Sequence, residues 1–241
     1  GGSVWWNPAH LAAGSGEVWF DAFRWIAGGR GSFGGARIET GWGGIGAYYV
    51  NHAMGGFEVR DRPGPAQGEF TLHQSVVGGG TAVRLMNGLN IGLLYKAAME
   101  VIYGDTDDDF GIVDVGAAFA RRGWAVGAAV SNLAVGDLEG GELPTTARIG
   151  ASQRLNFGAF QLLPALEGVF ENGGRRRLHL GLEANWNARL FVRCGWMNGH
   201  DSRNYSLGLG AVYGRCRFDF ALTPFSNELG TTGRFGVELA I

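Results

Sequence analysis

The amino-acid sequence predicts an all-β fold: a 14-stranded antiparallel transmembrane β-barrel with a short N-terminal plug segment. Three observations predict it. Apolar and polar residues alternate with period 2 from end to end, while helical periodicity is nearly absent. The face opposite the apolar one is rich in Gly and Ala, which suits a crowded lumen better than a wetted surface. Aromatic residues such as Trp42, Trp124, Trp186, Trp196 and Phe225 fall near segment ends, as interfacial girdles require.

Taken in order, the alternation places strands near 17–25, 32–40, 43–53, 68–77, 89–101, 110–121, 124–132, 146–154, 158–170, 176–186, 188–197, 204–213, 215–223 and 232–241. In the fifth, Ile91, Leu93, Tyr95, Ala97 and Met99 oppose Asn90, Gly92, Lys96, Ala98 and Glu100. In the tenth, Leu178, Leu180, Leu182, Ala184 and Trp186 oppose Arg177, His179, Gly181, Glu183 and Asn185. In the last, Phe235, Val237, Leu239 and Ile241 share one face. Turn signals separate most segments, including GDTDDD (104–109), ENGGRR (171–176), NGHDSRN (198–204) and FSNELGTTG (225–233). A soluble sandwich would show the same alternation with its apolar face inward. A tilted strand of ~9–11 residues spans a bilayer, and these segments average close to that.

Composition narrows the function classes. Gly (44 residues) is abundant without a G-X-Y period, which excludes collagen, and 8 Trp with 15 Phe are too much apolar surface for a disordered chain. The net charge of −2, with no basic cluster beyond Arg175-Arg176-Arg177, gives no sign of a nucleic-acid partner. No apolar run reaches the ~18 residues of a membrane helix, and no signal peptide is visible. Cys194 and Cys216, two strands apart on lipid-facing positions, are expected to be free thiols. One domain is expected over 1–241, with 1–16 as plug and 17–241 as barrel.

If the apolar faces meet lipid, the inward set contains Arg37, Glu39, Lys96, Glu100, Asp114, Glu167, His179, Glu183, Arg193, Arg217, Asp219, Arg234 and Glu238. Both signs occur in similar numbers, and charges in a narrow lumen are costly unless paired. A cross-lumen network that holds barrel and plug shut is the expected role. A Glu167–Glu183 acid/base dyad is the catalytic alternative, but scattered lumenal carboxylates are usually structural, so no enzyme is expected. The acidic run Asp105, Asp107, Asp108, Asp109 reads as a solvated tight turn rather than a calcium loop, because it lacks the loop's Gly and distal Glu. No nucleophile elbow, Walker loop or His/Cys metal spacing occurs, and no cofactor is expected.

The motifs together resemble the PorV/PorQ group of outer-membrane barrels, within the wider FadL-like superfamily. The opening SVWWNPAHLA is similar to that family's Asn-Pro-Ala box, with His10 in place of the usual Gly. VWFDAFRWI (18–26), GIGAYYV (44–50), FGIVDVGAAFA (110–120), VGAAVSNL (126–133), LPTTARIGASQRL (143–155), LPALEGVF (163–170), LHLGLEANW (178–186), LFVRCGW (190–196) and YSLGLGAVYG (205–214) follow in family order. The resemblance implies a fourteen-stranded barrel in a bacterial outer membrane, whose Asn-Pro-Ala segment folds against or into the lumen as a small hatch. Trp5, Trp6, Asn7, Pro8 and Ala9 would form it: Pro8 fixes φ, Asn7 makes an Asx-turn or caps a short helix, and the tryptophans anchor. Arg234, Gly236, Leu239 and Ile241 resemble the C-terminal signal read by the barrel-assembly machinery, with Ile241 in place of a terminal aromatic.

Two functions follow. The family resemblance implies a non-enzymatic scaffold of type IX secretion, docking to a larger protein partner or cell-surface complex, with outer-membrane lipid around it. The alternative is a FadL-like channel for hydrophobic small molecules. The channel reading requires an apolar pocket near Trp5, Trp6 and Trp19 and a lateral opening where strands part.

Overall fold

The computed structural model describes residues 2–60, 62–85, 88–102, 105–135 and 143–241. Its strands are β1 (Glu17–Arg24), β2 (Arg30–Thr40), β3 (Gly43–Val59), β4 (Gly68–Arg84), β5 (Leu89–Ile102), β6 (Asp105–Arg121) and β7 (Trp124–Ala134). There follow β8 (Thr146–Gln153), β9 (Leu155–Phe157), β10 (Phe160–Glu171), β11 (Arg176–Trp186), β12 (Leu190–Asn198), β13 (Tyr205–Tyr213), β14 (Cys216–Pro224) and β15 (Thr231–Ala240). β8 and β9 pair with β10 in one register, Ala165 opposite Ser152 and Leu162 opposite Leu155, so they are one stave interrupted at Arg154. Every neighbouring pair is antiparallel, and β15 pairs with β1, closing a 14-strand barrel. Closure leaves no open sheet edge, which is what lets strands cross hydrocarbon.

The burial pattern inverts that of a soluble protein. On β5, Ile91, Leu93 and Tyr95 are exposed while Gly92, Leu94 and Lys96 are buried. Phe20, Leu207 and Leu209 stand 56%, 61% and 58% exposed, yet Asp114 is 2% and Lys96 6% exposed. The apolar belt therefore faces outward, and the protein is an outer-membrane barrel. Trp42, Trp124 and Trp186 lie exposed at the end that carries the short connections 41–42, 122–123 and 187–189. Short turns and both chain ends mark the periplasmic side. Arg122 and Gly123, both at positive φ, give the mirror-image turn that matches strand twist.

Three strands exceed their sequence-predicted bounds by five residues or more. β3 runs to Val59 rather than 53, β4 to Arg84 rather than 77, and β6 begins at Asp105 rather than 110. At ~3.3 Å per residue, 17 residues reach well beyond a bilayer, so this side of the wall stands tall on the extracellular face. Bulges break the period there: β3 shifts register between Met54 and Phe57, where Gly56 has φ 85, and β6 turns through Gly111 at φ 82. The tight turn expected for GDTDDD is thus corrected for 105–109: that backbone pairs with Ala98–Ile102, while Gly104 lies outside the described residues.

A charge on the outer belt is expected to be costly. Leu209→Arg, if it sits near the bilayer midplane, should lower stability by ~2–4 kcal/mol in guanidinium unfolding of the barrel in phospholipid. A loss below ~0.5 kcal/mol would place this face in water instead.

Candidate functional site: the lumen and its N-terminal segment

The first residues turn back against the inner wall. Two 3₁₀ turns, Gly2–Trp5 and Pro8–Ala12, meet at Asn7. Pro8 disfavours the helical region for the residue before it, and Asn7 is extended (φ −154°, ψ 112°). Its side chain accepts from the Ala9 amide at 2.9 Å, capping the second turn. Its Nδ2 donates to the carbonyls of Ala117 at 3.0 Å and Ala128 at 3.2 Å, on β6 and β7. Glycine makes this approach possible. A Cβ on Gly116 would lie 2.1 Å from Asn7 Oδ1, one on Gly92 2.3 Å from the Pro8 carbonyl carbon, and one on Gly46 2.6 Å from Leu11. These glycines occupy inward positions, so the segment lies inside the barrel.

Its apolar side chains build the buried core. Val4, Leu11 and Ala12 join Trp19, Phe33, Tyr48, Ala82 and Leu94, with Trp5 packed against them. Trp5 meets Phe33 and Tyr48 edge-on, at 5.9 and 5.1 Å between ring centres. Trp6 is half-exposed, under the Arg148 guanidinium at 4.6 Å. Cations hold the segment's far end: Arg37 donates to the carbonyls of His10 (2.7 Å) and Ala13, and Arg84 to that of Ala12 (2.9 Å).

The inward charges are paired, but along the wall rather than across the lumen, which corrects the expected cross-lumen network. Arg37 meets Glu17 at 3.2 Å, on β2 and β1. Lys96 meets Asp114 at 2.8 Å and donates to Asn132 at 2.6 Å. Asn132, at φ 62, sits in a bulge of β7 that turns its backbone amide onto Asp114 at 2.8 Å. Arg193 joins Glu183 (2.6 Å) to Asp219 (2.5 Å), and Arg217 meets Asp219 at 2.8 Å. Gly210 of the intervening β13 leaves room for that bridge, since its Cβ would lie 2.6 Å from Asp219. Glu167 binds Arg148 (3.4 Å) and His179 (3.0 Å). Glu167 and Glu183 therefore belong to separate clusters and form no dyad. Glu39 pairs with Arg84 at 3.0 Å, and Glu100 accepts from Gln74 at 2.8 Å in an exposed setting. The physical reason is reach: paired side chains on neighbouring staves meet at a few ångströms, whereas the segment stands between opposite walls.

The segment packs on β2 to β6 and leaves the other side of the lumen open. There a cavity of about 740 Å³ is lined by Glu17, Asp21, Arg37, Glu183, Arg193, Arg217, Asp219, Arg234 and Glu238, among others. Nearer the extracellular mouth, a second cavity of about 340 Å³ is lined by Trp5, Trp6, Phe23, Arg24, Trp25, Phe33, Val50, Thr232, Gly233 and Arg234. Trp25 packs edge-on against Phe225 at 5.5 Å, and Arg203 lies over both rings. Phe225 is thus part of the mouth as well as of the aromatic rim.

At the C-terminal strand, Arg234 faces inward and binds Asp21 at 2.9 Å. Gly236 makes room for that carboxylate, since its Cβ would lie 2.2 Å from Asp21 Oδ1. Leu239 and Ile241 are exposed on the outer face. Sequence reasoning missed Glu17 and Asp21, which alternate inward on β1 with Trp19 and were legible from that parity. It also missed Arg148, which alternates inward on β8 beside the exposed Ile149 and was legible in the same way, and Asn132 and His200, which carried no such signal: Asn132 acts through a bulge, and His200 lies in the loop after β12. Cys194 and Cys216 are free thiols. Among the described residues no group of three or more His, Cys, Asp or Glu is arranged to hold a metal ion.

No protein-family model matches the chain, and no curated protein matches it. Solved structures do. The CymD monoaromatic hydrocarbon channel aligns with TM-score 0.67 at 10% identity, over 100% of this chain and 92% of that one. The Acinetobacter baumannii outer membrane protein Omp33 aligns with TM-score 0.56 at 9% identity, over 94% and 98%. At such identities the likeness concerns the fold: this chain is built as outer-membrane porins and channels are.

Two outcomes are expected. Lys96→Met strands the Asp114 carboxylate in the wall and should cost ~3–5 kcal/mol in guanidinium unfolding, while Lys96→Met with Asp114→Leu should recover most of it. A single variant as stable as the parent would show that the pair is not needed. The second concerns the extracellular loop, where His200 Nε2 lies 3.2 Å from His179 Nε2. Burial, with Arg203, Arg177 and His179 nearby, pushes the His200 imidazole down to about 4, against a weak opposing pull from Glu171. The released loop takes up a proton near pH 6.5 and the docked loop only near 4, so docking is strongest above 6.5 and weakens as pH falls through that window. Protection factors of the 199–204 amides, each corrected for the intrinsic exchange rate at its pH, should fall between pH 6.5 and 4, and His200→Phe should flatten the profile.

Proposed function

We propose that the protein is a non-enzymatic outer-membrane channel for small molecules with an apolar body, and that its N-terminal segment is the plug that narrows the lumen. The observation that carries this reading is the aromatic cavity of about 340 Å³ at the extracellular mouth. The plug's own Trp5 and Trp6 line it, and it adjoins the polar cavity at Arg234. A solute can leave lipopolysaccharide or water for aromatic walls, then pass beside the plug through a hydrated half-lumen. The CymD channel, by its description, carries monoaromatic hydrocarbons, which supports a solute of that size. The route runs down the lumen. Among the described residues every neighbouring pair of staves is joined by a ladder, so the strands do not part as a lateral exit requires.

The second reading is the scaffold role that the PorV/PorQ resemblance implies, within type IX secretion and with a larger protein partner. The tall extracellular rise of β3 and β4 favours it, since 17-residue strands present structure well above the lipid. Copurification from native membranes in mild detergent separates the two: a stoichiometric protein partner favours the scaffold, and a bound apolar molecule favours the channel. Under the channel reading, Trp5→Ala should reduce uptake of labelled toluene by about tenfold in cells carrying the barrel. Uptake equal to that of the parent, with the barrel present and heat-modifiable on gels, would remove Trp5 from the route.

A further inference from the structure

The aromatic cavity has a charge asymmetry that a hydrocarbon would not use. Its lining holds two arginines, Arg24 and Arg234, and no carboxylate. Arg234 lines both this cavity and the polar one below it. Its ion pair with Asp21 is made through Nε at 2.9 Å, and among the described residues no hydrogen bond engages its two terminal nitrogens. Its side chain is 46% exposed, whereas that of Asp21 is 10% exposed. Arg193 differs, since Nε and Nη1 are both committed to carboxylates, and Arg37 is committed to two carbonyls and Glu17. An uncommitted guanidinium fork beside aromatic walls matches a carboxylate on an apolar body, because planar guanidinium binds carboxylate in two parallel hydrogen bonds.

Resting on the channel reading, we propose that Arg234 is a specificity-determining residue and that the solute class is a one- or two-ring carboxylate. The ring lies among Trp5, Phe23, Trp25 and Phe33, and the carboxylate takes the Arg234 fork at the junction of the two cavities. Size supports this class. A cavity of ~150 Å³ holds one benzene ring, so about 340 Å³ admits one or two rings and not a long acyl chain. Asp21 is the competitor: it holds Arg234 while the site is empty and yields part of the guanidinium to the incoming anion. Gly236 keeps Asp21 beside the fork, since a Cβ there would strike its Oδ1.

The test is titration of the full chain in detergent with three probes, 2-naphthoate, naphthalene and 2-naphthylmethylammonium, read by tryptophan fluorescence and calorimetry. Naphthoate is expected to bind at least tenfold more tightly than naphthalene, and the ammonium probe more weakly than either. R234Q should bring naphthoate down to the naphthalene level. D21N removes the competitor and should tighten naphthoate several-fold, a gain that misfolding cannot mimic. Equal affinity for naphthoate and naphthalene, or a naphthoate preference that survives R234Q, would overturn the carboxylate assignment alone. Binding of none of the three probes would overturn the channel reading beneath it.

Discussion

The structure depends on one constraint: a wall one strand thick separates hydrocarbon from the lumen. Outside, no ionisable side chain can find a partner or water, so the outward half of each alternation is apolar. Within the hydrocarbon span charge then falls inside, where the wall's curvature brings neighbouring staves together. Pairing along the wall follows from that crowding. Lys96 with Asp114, Arg193 with Glu183 and Asp219, and Arg234 with Asp21 each satisfy a charge within two or three staves.

The same constraint explains the glycines. A one-layer barrel has no facing sheet to supply a core, so an N-terminal segment supplies one from within. Gly46, Gly92 and Gly116 leave the wall bare where Leu11, Pro8 and Asn7 approach it, and any side chain there would expel the segment. Val4, Leu11, Trp19, Phe33, Tyr48 and Leu94 then form a dry cluster that occupies one side of the lumen. Because it packs against β2 to β6, the other side remains wet and charged. Apolar and polar compartments therefore lie side by side and meet at Arg234.

That division gives the lumen its chemical character. An evenly polar pore sorts solutes by size and charge, whereas a fully packed one passes nothing. Here an aromatic mouth and a polar base succeed one another, and residues of the N-terminal segment line both, Trp5 the first and His10 the second. Any motion of the segment alters both compartments together, and the capping of Pro8–Ala12 by Asn7 is part of what holds it in place.

The sequence alone determined the number of staves and how residues divide between two faces, because period-2 alternation is a local property, and the Gly and Ala of the opposite face and the aromatic segment ends pointed the apolar face toward lipid. It also determined the local geometry around Asn7 and Pro8, which two adjacent residues dictate. It misjudged strand length in β3 and β6, since above the bilayer the alternation relaxes and bulges at Gly56 and Gly111 reset the phase, and in β4, where the run Gly78-Gly79-Gly80 hides a stretch that pairs with the start of β3. Only the tertiary structure decided which charges pair, that they do so along the wall, and that a bulge at Asn132 completes the Lys96 site. It alone placed Asp21 beside Arg234, residues separated by almost the whole chain and joined where the last strand closes on the first. Closure is a long-range event, so the contacts it creates leave no trace in neighbouring residues.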